Sequence, residues 1–234
     1  MSDTQMEEVR PAVDLSDKHF LFLFGPGGSG KNHLTRCLIK AGVKLHHLST
    51  GDKLREFIRE SNGSRAKEAK QIMSAGHHVP IDIVVEASFE NLNSIHEDLI
   101  IIDGFPRNEI QAEYLLNCKD FNLNPDNFMG IHIGRSLTRC LNQIFSSSDR
   151  GERDDDEYQS IVDRYNLHRS KTVSAINIMR SSGMHLYETG DVDDLDALVP
   201  FIMHSHNLER FVPKSEMTHP GFEPSGLYCA NFLL

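Results

Sequence analysis

The sequence predicts an α/β protein with a doubly wound parallel sheet of five strands and helices on both faces of the sheet. Short, continuous apolar runs such as His19–Phe24 are typical of parallel strands that are buried on both faces. Segments of helical periodicity separate these runs, and this alternation predicts crossover connections within one sheet. Gly25 and Asp103 come directly after two strand-like segments, at the strand end where such sheets bind ligands.

The elements can be assigned in order along the chain. Strands are predicted at residues 19–24, 44–48, 99–102, 128–133 and 184–188. Helices are predicted at residues 30–42, 53–60, 64–75, 81–89, 108–117, 136–145, 155–180 and 192–204. Glycines mark several of the helix ends, because glycine readily adopts the conformation that terminates a helix.

One domain with insertions is predicted for residues 18–205, although 234 residues also leave room for two small domains. Residues 1–17 are polar and acidic and are predicted to form a flexible leader. Residues 206–234 carry several prolines and aromatic residues without a clear period, and they are expected to form a tail of undefined role.

Composition and charge exclude several classes of function. A hydrophobic content of 39% and a charged content of 25% are ordinary for a globular protein. The net charge of −10 argues against a nucleic acid polymer as partner, because such binding needs a basic surface. The sequence lacks both an apolar run of roughly 20 residues and a secretory signal pattern. We therefore expect a cytoplasmic protein with no membrane partner.

The cysteine spacings and the two histidine pairs give no metal-site pattern. The four cysteines are scattered without a C-x-x-C pair, so we expect free thiols and neither a zinc site nor a disulfide framework. The pairs His46-His47 and His77-His78 lack the i, i+4 spacing of two ligands on one helix face.

A phosphate-binding loop is predicted directly after the first strand. Residues 25–31 fit the pattern G-x-x-x-x-G-K between a strand and a helix. Glycines allow backbone N–H groups to converge on phosphate oxygens, and the helix N-terminus and Lys31 add positive charge. We therefore expect the phosphates of a nucleotide at this loop and at the start of the helix that follows it, at Gly25, Gly27, Gly28, Ser29, Gly30, Lys31, Asn32 and His33.

A magnesium ion is expected to accompany these phosphates. Asn32 stands where a serine or threonine usually ligates the ion, so Mg²⁺ would be held largely through water and phosphate oxygens. Asp103 follows a buried strand, a position that orients Mg²⁺ and its waters in phosphate-loop proteins. Arg107, four residues later, offers a planar fork that suits a second phosphate group.

Three segments then carry a family resemblance. Asp103-Gly-Phe-Pro-Arg107 matches the signature D-G-F-P-R, residues 47–55 match H-[LI]-S-T-G-D-x-L-R, and residues 76–80 are similar to G-x-L-V-P. Together these segments resemble the adenylate kinase family of nucleoside monophosphate kinases. The similarity extends from about residue 19 to about residue 202, and it leaves out only the two ends of the chain.

The resemblance implies an acceptor site, a flap and a lid. The flap would be a helical insertion at about residues 49–78, and the lid a short segment at about 146–155 without a zinc-binding insert. The resemblance also implies a monomer. The residues that would contact AMP are Thr50, Arg55, Val79, Gly104, Arg107 and Gln111.

Arginines of the lid region complete the expected catalytic set. Arg153 and Arg164 fit the family's G-R-x-D-D…K-R pattern and would stabilise the charge on the transferred phosphoryl group, together with Lys31, Arg107 and Asp103. Arg139 fits the position that packs on the donor adenine.

The chain also departs from the family pattern. Asn32-His33 replaces a Gly-Thr pair, Pro26 lies one place early, and Gln143 stands where the family carries an arginine.

The resemblance implies reversible phosphoryl transfer from ATP·Mg²⁺ to a nucleoside monophosphate, and Thr50 favours AMP. A UMP/CMP-type kinase and a nucleotide-binding regulatory protein with weakened catalysis are the alternatives.

Overall fold

A parallel sheet forms the centre of the computed structural model, which describes residues 13–146 and 157–213. The strands in chain order are β1 (Val13–Asp14), β2 (His19–Phe24), β3 (His46–Ser49), β4 (Leu99–Asp103), β5 (Phe121–Asn122), β6 (Phe128–His132) and β7 (His185–Glu188). Five of them make the main sheet in the order β3-β4-β2-β6-β7, with every neighbouring pair parallel. The predicted five-stranded sheet is confirmed.

Helices cover both faces of this sheet. The α-helices of the described residues are α1 (Lys31–Lys40), α2 (Thr50–Glu60), α3 (Ser64–Ser74), α4 (Ile81–Phe89), α5 (Glu109–Asn117), α6 (Leu137–Ser146), α7 (Tyr158–Leu167), α8 (Val173–Ser181) and α9 (Val199–Ser205). A π-helical turn, His168–Thr172, connects α7 to α8. Short 3₁₀ segments lie at Leu92–Ser94, Pro125–Asn127, Asp196–Leu198 and Leu208–Phe211.

The position of β2 determines where a ligand can bind. The chain runs from β2 to one side of the sheet, through β3 and β4, and then crosses to β6 on the other side. In the register, Leu23 lies opposite Asp103 and Phe24 lies opposite His132. The carboxyl ends of these strands therefore meet at one edge, where the strand order reverses and ligands bind in open α/β sheets.

Alternate residues of β2 enter two separate apolar cores. Phe20, Phe22 and Phe24 pack on one face of the sheet, whereas Leu21 and Leu23 pack on the other, and each is at most 4% exposed. Burying each such side chain contributes about 1.5–3 kcal/mol. Burial on both faces is the reason why this strand is apolar at consecutive positions rather than alternate ones.

The predicted leader ended at Asp17, but its last residues are part of the fold. Val13–Asp14 pairs in parallel with Phe121–Asn122, and Leu15 is buried in the core that includes the phenylalanines of β2. A strand of two residues is too short to show a periodic pattern, so the sequence did not reveal it. The first part of the predicted tail is likewise packed, because Leu208 and Val212 are buried.

Two helix predictions near the C-terminus also need correction. The helix predicted at residues 155–180 begins at Tyr158 in the described residues and contains the π-helical turn. In the segment predicted as a helix at residues 192–204, a loop and the 3₁₀ segment Asp196–Leu198 come first, and the α-helix begins only at Val199. The Asp194 carboxylate accepts hydrogen bonds from the N–H groups of Asp196 and Ala197, which stabilises a turn instead of a regular helix.

None of the helices within residues 13–146 and 157–213 combines the length and the apolar character required to cross a lipid bilayer.

A buried histidine, His206, joins the end of α9 to the sheet. His206 is 4% exposed, its Nε2–H donates to the carbonyl oxygen of Gly130 (3.1 Å), and its Nδ1 lies 2.9 Å from Nδ1 of His185. Burial, assisted by His185, lowers the pKa of His206 from the ordinary 6.5 to about 4. The imidazole is therefore neutral in the folded protein at neutral pH.

Because the pKa of His206 is about 4 when folded and 6.5 when unfolded, acid should destabilise the fold through this residue. Protons bind preferentially to the unfolded chain as the pH falls from about 6.5 towards 4, and this residue alone should cost about 2 kcal/mol by about pH 5. His206→Gln should reduce the difference between the free energies of unfolding in urea at about pH 7.5 and about pH 5. The matched control is His204→Gln at an exposed position of α9. Equal pH dependence in both variants would contradict this assignment.

Candidate functional site

A cleft of about 270 Å³ opens at the carboxyl ends of β2 and β4. The phosphate-binding loop forms one part of its wall, and α2 with the loop after β4 forms another. The far side is formed by α7 and the π-helical turn, through residues that include Arg164, Leu167 and His168. Segments separated widely in the sequence therefore meet in one concave site.

The phosphate-binding loop folds as the glycine pattern predicts. Gly28 has φ +81°, and a Cβ at this residue would lie 2.5 Å from the carbonyl oxygen of Cys140, so a larger residue would displace α6. Lys31 turns back over the loop, and its Nζ donates to the carbonyl oxygens of Gly25 (2.9 Å) and Pro26 (3.1 Å). The ammonium group therefore lies over the loop and faces the cleft.

Asp103 and Lys31 form the charged centre of this part of the cleft. Lys31 Nζ lies 3.7 Å from Asp103 Oδ1, and His47 Nε2 lies 3.8 Å from Asp103 Oδ2. Burial by itself raises the pKa of Asp103, but Lys31, His47 and Arg107 together hold that pKa below its ordinary value. The carboxylate is therefore ionised at neutral pH although the residue is buried.

Thr50 connects the first turn of α2 to the end of β4. Its buried hydroxyl is shared between the carbonyl oxygens of Asp103 (3.1 Å) and Gly104 (3.0 Å). The helix can begin here because the side chain of Ser49 accepts a hydrogen bond from the N–H of Asp52 at the N-terminus of α2. This connection fixes the start of α2 against the loop that carries Arg107.

The Arg107 guanidinium is held by backbone contacts. Its Nε donates to the carbonyl oxygen of Gly104 (2.6 Å), and a Cβ at Gly104 would lie only 2.7 Å from Arg107 Nη2. Gly104 also has φ +83°, a conformation that side chains disfavour. The Arg107 carbonyl oxygen accepts from Thr172 Oγ1 (2.9 Å), which ties this loop to the π-helical turn. The Phe105–Pro106 peptide bond of this loop is cis.

Arg55 lies near Arg107 on the α2 side of the cleft. A Cβ placed on Gly51 would lie 3.3 Å from Arg55 Nη2 and 3.5 Å from Arg107 Nη2, so both guanidinium groups approach the same small volume. Arg55 also forms an ion pair with Asp52 on its own helix. Two planar forks at one place are suited to a phosphate group.

Gln111 is buried behind these arginines. Its Oε1 accepts a hydrogen bond from the N–H of Arg107 (2.8 Å), and its Nε2 lies 3.5 Å from the carbonyl oxygen of Val79. Asn108 caps α5 by accepting from the N–H of Gln111 (2.9 Å). Gln111 therefore lies between the loop and the flap side of the cleft, and both Gln111 and Val79 line it.

Two histidines in the cleft wall, the half-buried His78 and the buried His168, were not singled out as site residues from the sequence. Burial lowers the pKa of His78 to about 4 and that of His168 to about 3, so both are neutral at neutral pH. His168 Nε2 lies 3.2 Å from His132 Nε2 at the end of β6. A signal was available for His78, since it lies inside the segment at 76–80 that resembles the family pattern.

The remaining predicted residues lie in different places. Arg139 is not among the described residues that line the cleft, and its guanidinium pairs with Asp191 (3.3 Å) and with Asp193. Ser29 is fully buried within the loop. Asn32 and His33 lie at the cleft wall, where Gln143 also lies. Arg153 and most of the predicted lid lie outside the described residues.

A phosphate-binding loop after the central strand, with a buried ionised aspartate on the adjacent strand, defines the phosphate-loop class of nucleotide-binding α/β proteins. The family model described as "Adenylate kinase" matches residues 23–184, which include both features.

Curated relatives carry the same name. The chain is 37% identical over 133 residues to the adenylate kinase of Borrelia garinii subsp. bavariensis, covering 54% of this chain and 62% of that protein. It is 34% identical over 189 residues to the adenylate kinase of Prochlorococcus marinus strain NATL2A, covering 80% and 98%. A third relative, the adenylate kinase of Alkaliphilus oremlandii, is 28% identical over 198 residues, covering 73% and 91%. The chain therefore belongs to the adenylate kinase family, although the first of these alignments spans about three fifths of the relative.

The connection made by Thr50 can be tested by mutation. Thr50→Val removes the hydroxyl and leaves two backbone oxygens without this donor, so the free energy of unfolding should fall by about 1–3 kcal/mol. Thr35→Val is the matched control, because Thr35 is equally buried but donates only to Lys31 O within α1 (3.1 Å). Urea unfolding measures both values. Equal losses would show that the connection does not add stability.

Proposed function

We propose that the protein transfers a phosphoryl group reversibly from ATP·Mg²⁺ to a nucleoside monophosphate, with AMP as the favoured acceptor. One observation carries this proposal, namely that Lys31 and Arg107 contact two consecutive residues at the end of β4, Asp103 and Gly104. Lys31 Nζ lies 3.7 Å from the Asp103 carboxylate, and Arg107 Nε donates to the carbonyl oxygen of Gly104 at 2.6 Å. Cationic groups for two different phosphates therefore line one cleft.

The donor would occupy the loop side of the cleft. The N–H groups at the start of α1 and the Lys31 ammonium would bind the β- and γ-phosphates. Lys31 Nζ donates to the carbonyl oxygens of Gly25 and Pro26 and so lies at the loop that would bind these phosphates. Arg139 would pack on the donor adenine, and this role rests on the resemblance rather than on its position.

The acceptor would occupy the α2 side of the cleft. Arg55 and Arg107 would hold its phosphate as two planar forks. Thr50, Val79, Gly104 and Gln111 would surround the base and ribose. The Thr50 hydroxyl is engaged with two backbone oxygens, so its contribution to the acceptor site is to position the loop as well as to contact the base.

The mechanism requires positioning rather than a protein nucleophile. An oxygen of the acceptor phosphate would attack the γ-phosphorus in line, and the bond to the β,γ-bridging oxygen would break to release ADP. Lys31, Arg107 and Arg164 would stabilise the charge on the transferred group, and Arg153 would join them from the lid. Closure of the lid over the cleft would exclude water, which would otherwise accept the phosphoryl group.

The residues present fit a magnesium ion that arrives with ATP. Asp103 supplies a carboxylate that stays ionised although it is buried, next to Lys31. Asn32, at the start of α1, supplies an amide and no hydroxyl. Mg²⁺ would neutralise charge on the β- and γ-phosphates, and Asp103 would hold it through water, as oxygen-rich magnesium sites commonly do.

A catalytically weakened nucleotide-binding protein is the second candidate. The observation that favours it is the orientation of the His33 side chain, whose ring contacts Asp196 rather than the phosphate-binding loop. His33 stands where the family pattern has threonine, so the hydroxyl of that threonine is missing. Gln143 stands where the family carries an arginine, so one cationic group is also missing. A UMP/CMP-type acceptor is a third alternative. The monomeric state and a cytoplasmic location stay predictions.

Diphosphate formation tests these alternatives directly. The full chain is incubated with ATP·Mg²⁺ and, in separate reactions, AMP, GMP, CMP or UMP. AMP should give the highest kcat/KM. A preference for UMP or CMP would replace the proposed acceptor, and ATP binding without turnover on any acceptor would favour the regulatory candidate.

The acceptor arginines have a matched control on the same helix. Arg55→Ala should lower kcat/KM for AMP at least about 100-fold, because it removes a charged group from the acceptor phosphate. Arg59→Ala should leave the rate unchanged, since Arg59 is 73% exposed and pairs with Glu60 at 3.6 Å. Steady-state kinetics with varied AMP measures both. A comparable loss of kcat/KM in both variants would mean that the rate depends on the integrity of α2 and not on the Arg55 guanidinium.

A further inference from the structure

Three side chains form a compact cluster beside the phosphate-binding loop. His33 and Cys37 lie one turn apart on α1, and Asp196 lies opposite them in the 3₁₀ segment before α9. Cys37 Sγ donates to Asp196 Oδ1 (3.1 Å) and lies 3.6 Å from His33 Nε2, which also contacts Asp196 Oδ1. All three ligand atoms lie within 4.8 Å of one another.

The chemical types in this cluster are those that bind zinc. An imidazole nitrogen, a thiolate sulfur and a carboxylate oxygen are its usual ligands, and a site with three protein ligands keeps a fourth position for water. A tetrahedral ion with ordinary bond lengths would separate these atoms by about 3.4–3.6 Å. The sulfur–nitrogen distance already has this value, and the sulfur–oxygen distance must increase by about half an ångström.

The cluster is open to ions from solution. The side chains of His33 and Asp196 are 45% and 62% exposed, and Cys37 is half-buried. Asp196 lies outside the sheet, at the start of the 3₁₀ segment Asp196–Leu198. Small adjustments of this segment would complete the coordination without a change in the sheet.

We propose that His33, Cys37 and Asp196 bind a thiophilic divalent cation of the Zn²⁺ class. Cys37 Sγ donates to Asp196 Oδ1, and His33 Nε2 contacts the same oxygen. In the complex, neutral His33 would offer the lone pair of Nε2 and carry its ring proton on Nδ1. Binding would replace the thiol proton, so that Cys37–SH and M²⁺ give Cys37–S–M⁺ and a proton released to the buffer. No electron transfer is involved. The bound ion would then join α1, which carries Lys31, to the segment before α9.

This inference does not depend on phosphoryl transfer. The i, i+4 spacing of His33 and Cys37 is a signal that the sequence offers, although it is neither a histidine pair nor a C-x-x-C motif. The third ligand could not be found from spacing, since Asp196 is 163 residues from His33.

Cobalt(II) is the probe that tests the proposal, because a cobalt–thiolate bond gives a charge-transfer absorption that requires no enzyme activity. Titration of the full chain with Co²⁺ should produce this absorption, and added Zn²⁺ should abolish it by displacement. Cys37→Ser should remove it. Asp196→Asn, at an exposed position, should weaken Co²⁺ binding by more than the roughly 10- to 100-fold loss that follows removal of an outer hydrogen-bond partner.

Cys118→Ser is the matched control. Cys118 is also a half-buried thiol beside a carboxylate, with its Sγ 3.8 Å from Asp120 Oδ2, but it lies outside the cluster. Its variant should keep the absorption of the unmodified chain. Circular dichroism checks that each variant is folded, and Asp196→Asn supplies the test if Cys37→Ser does not fold. An absorption that never forms, that survives in Cys37→Ser, or that keeps its affinity in Asp196→Asn would overturn the proposal.

Discussion

The parallel pairing of β2 with β4 is the constraint on which the site depends. Leu23 lies opposite Asp103, and the glycine loop begins two residues later at Gly25. This register brings Lys31 to 3.7 Å from Asp103, and Arg107 lies four residues after Asp103, in the loop that follows β4. A shift of the register by one residue would turn Asp103 to the opposite face of the sheet and separate these charges. The alternation of phenylalanine and leucine in β2 favours this register, because a shift by one residue would exchange the phenylalanines of one core with the leucines of the other.

Electrostatic balance follows from this packing. Asp103 is buried and stays charged because Lys31, His47 and Arg107 surround it. The half-buried His78 and the buried His168 are neutral at neutral pH. The cleft therefore has a positive field near the places proposed for the phosphates, and the neutral histidines close its far side without adding charge. A net negative protein can bind an anionic ligand in this way, since only the local cations matter at close range.

Much of the fold was predictable from sequence, for physical reasons. Strands such as His19–Phe24 and the loop from Gly25 to Lys31 carry patterns that are local in the chain, and the structure has both as predicted. The features that were missed depend on distant partners or on very short elements. The β1–β5 pair has two residues on each side, Arg139 is paired with aspartates about 50 residues away, and Asp196 meets His33 only through the fold. The roles of the cleft residues rest on the family pattern and stay proposals.

The central claim is that one cleft holds two nucleotides and passes a phosphoryl group directly between them. A rapid-quench single-turnover reaction with ATP labelled at the γ-phosphate and unlabelled AMP tests it most directly. The account predicts that the label appears in the β-phosphate of ADP formed from AMP, with none bound to protein. Label transferred to the protein, or found only in inorganic phosphate, would contradict the account.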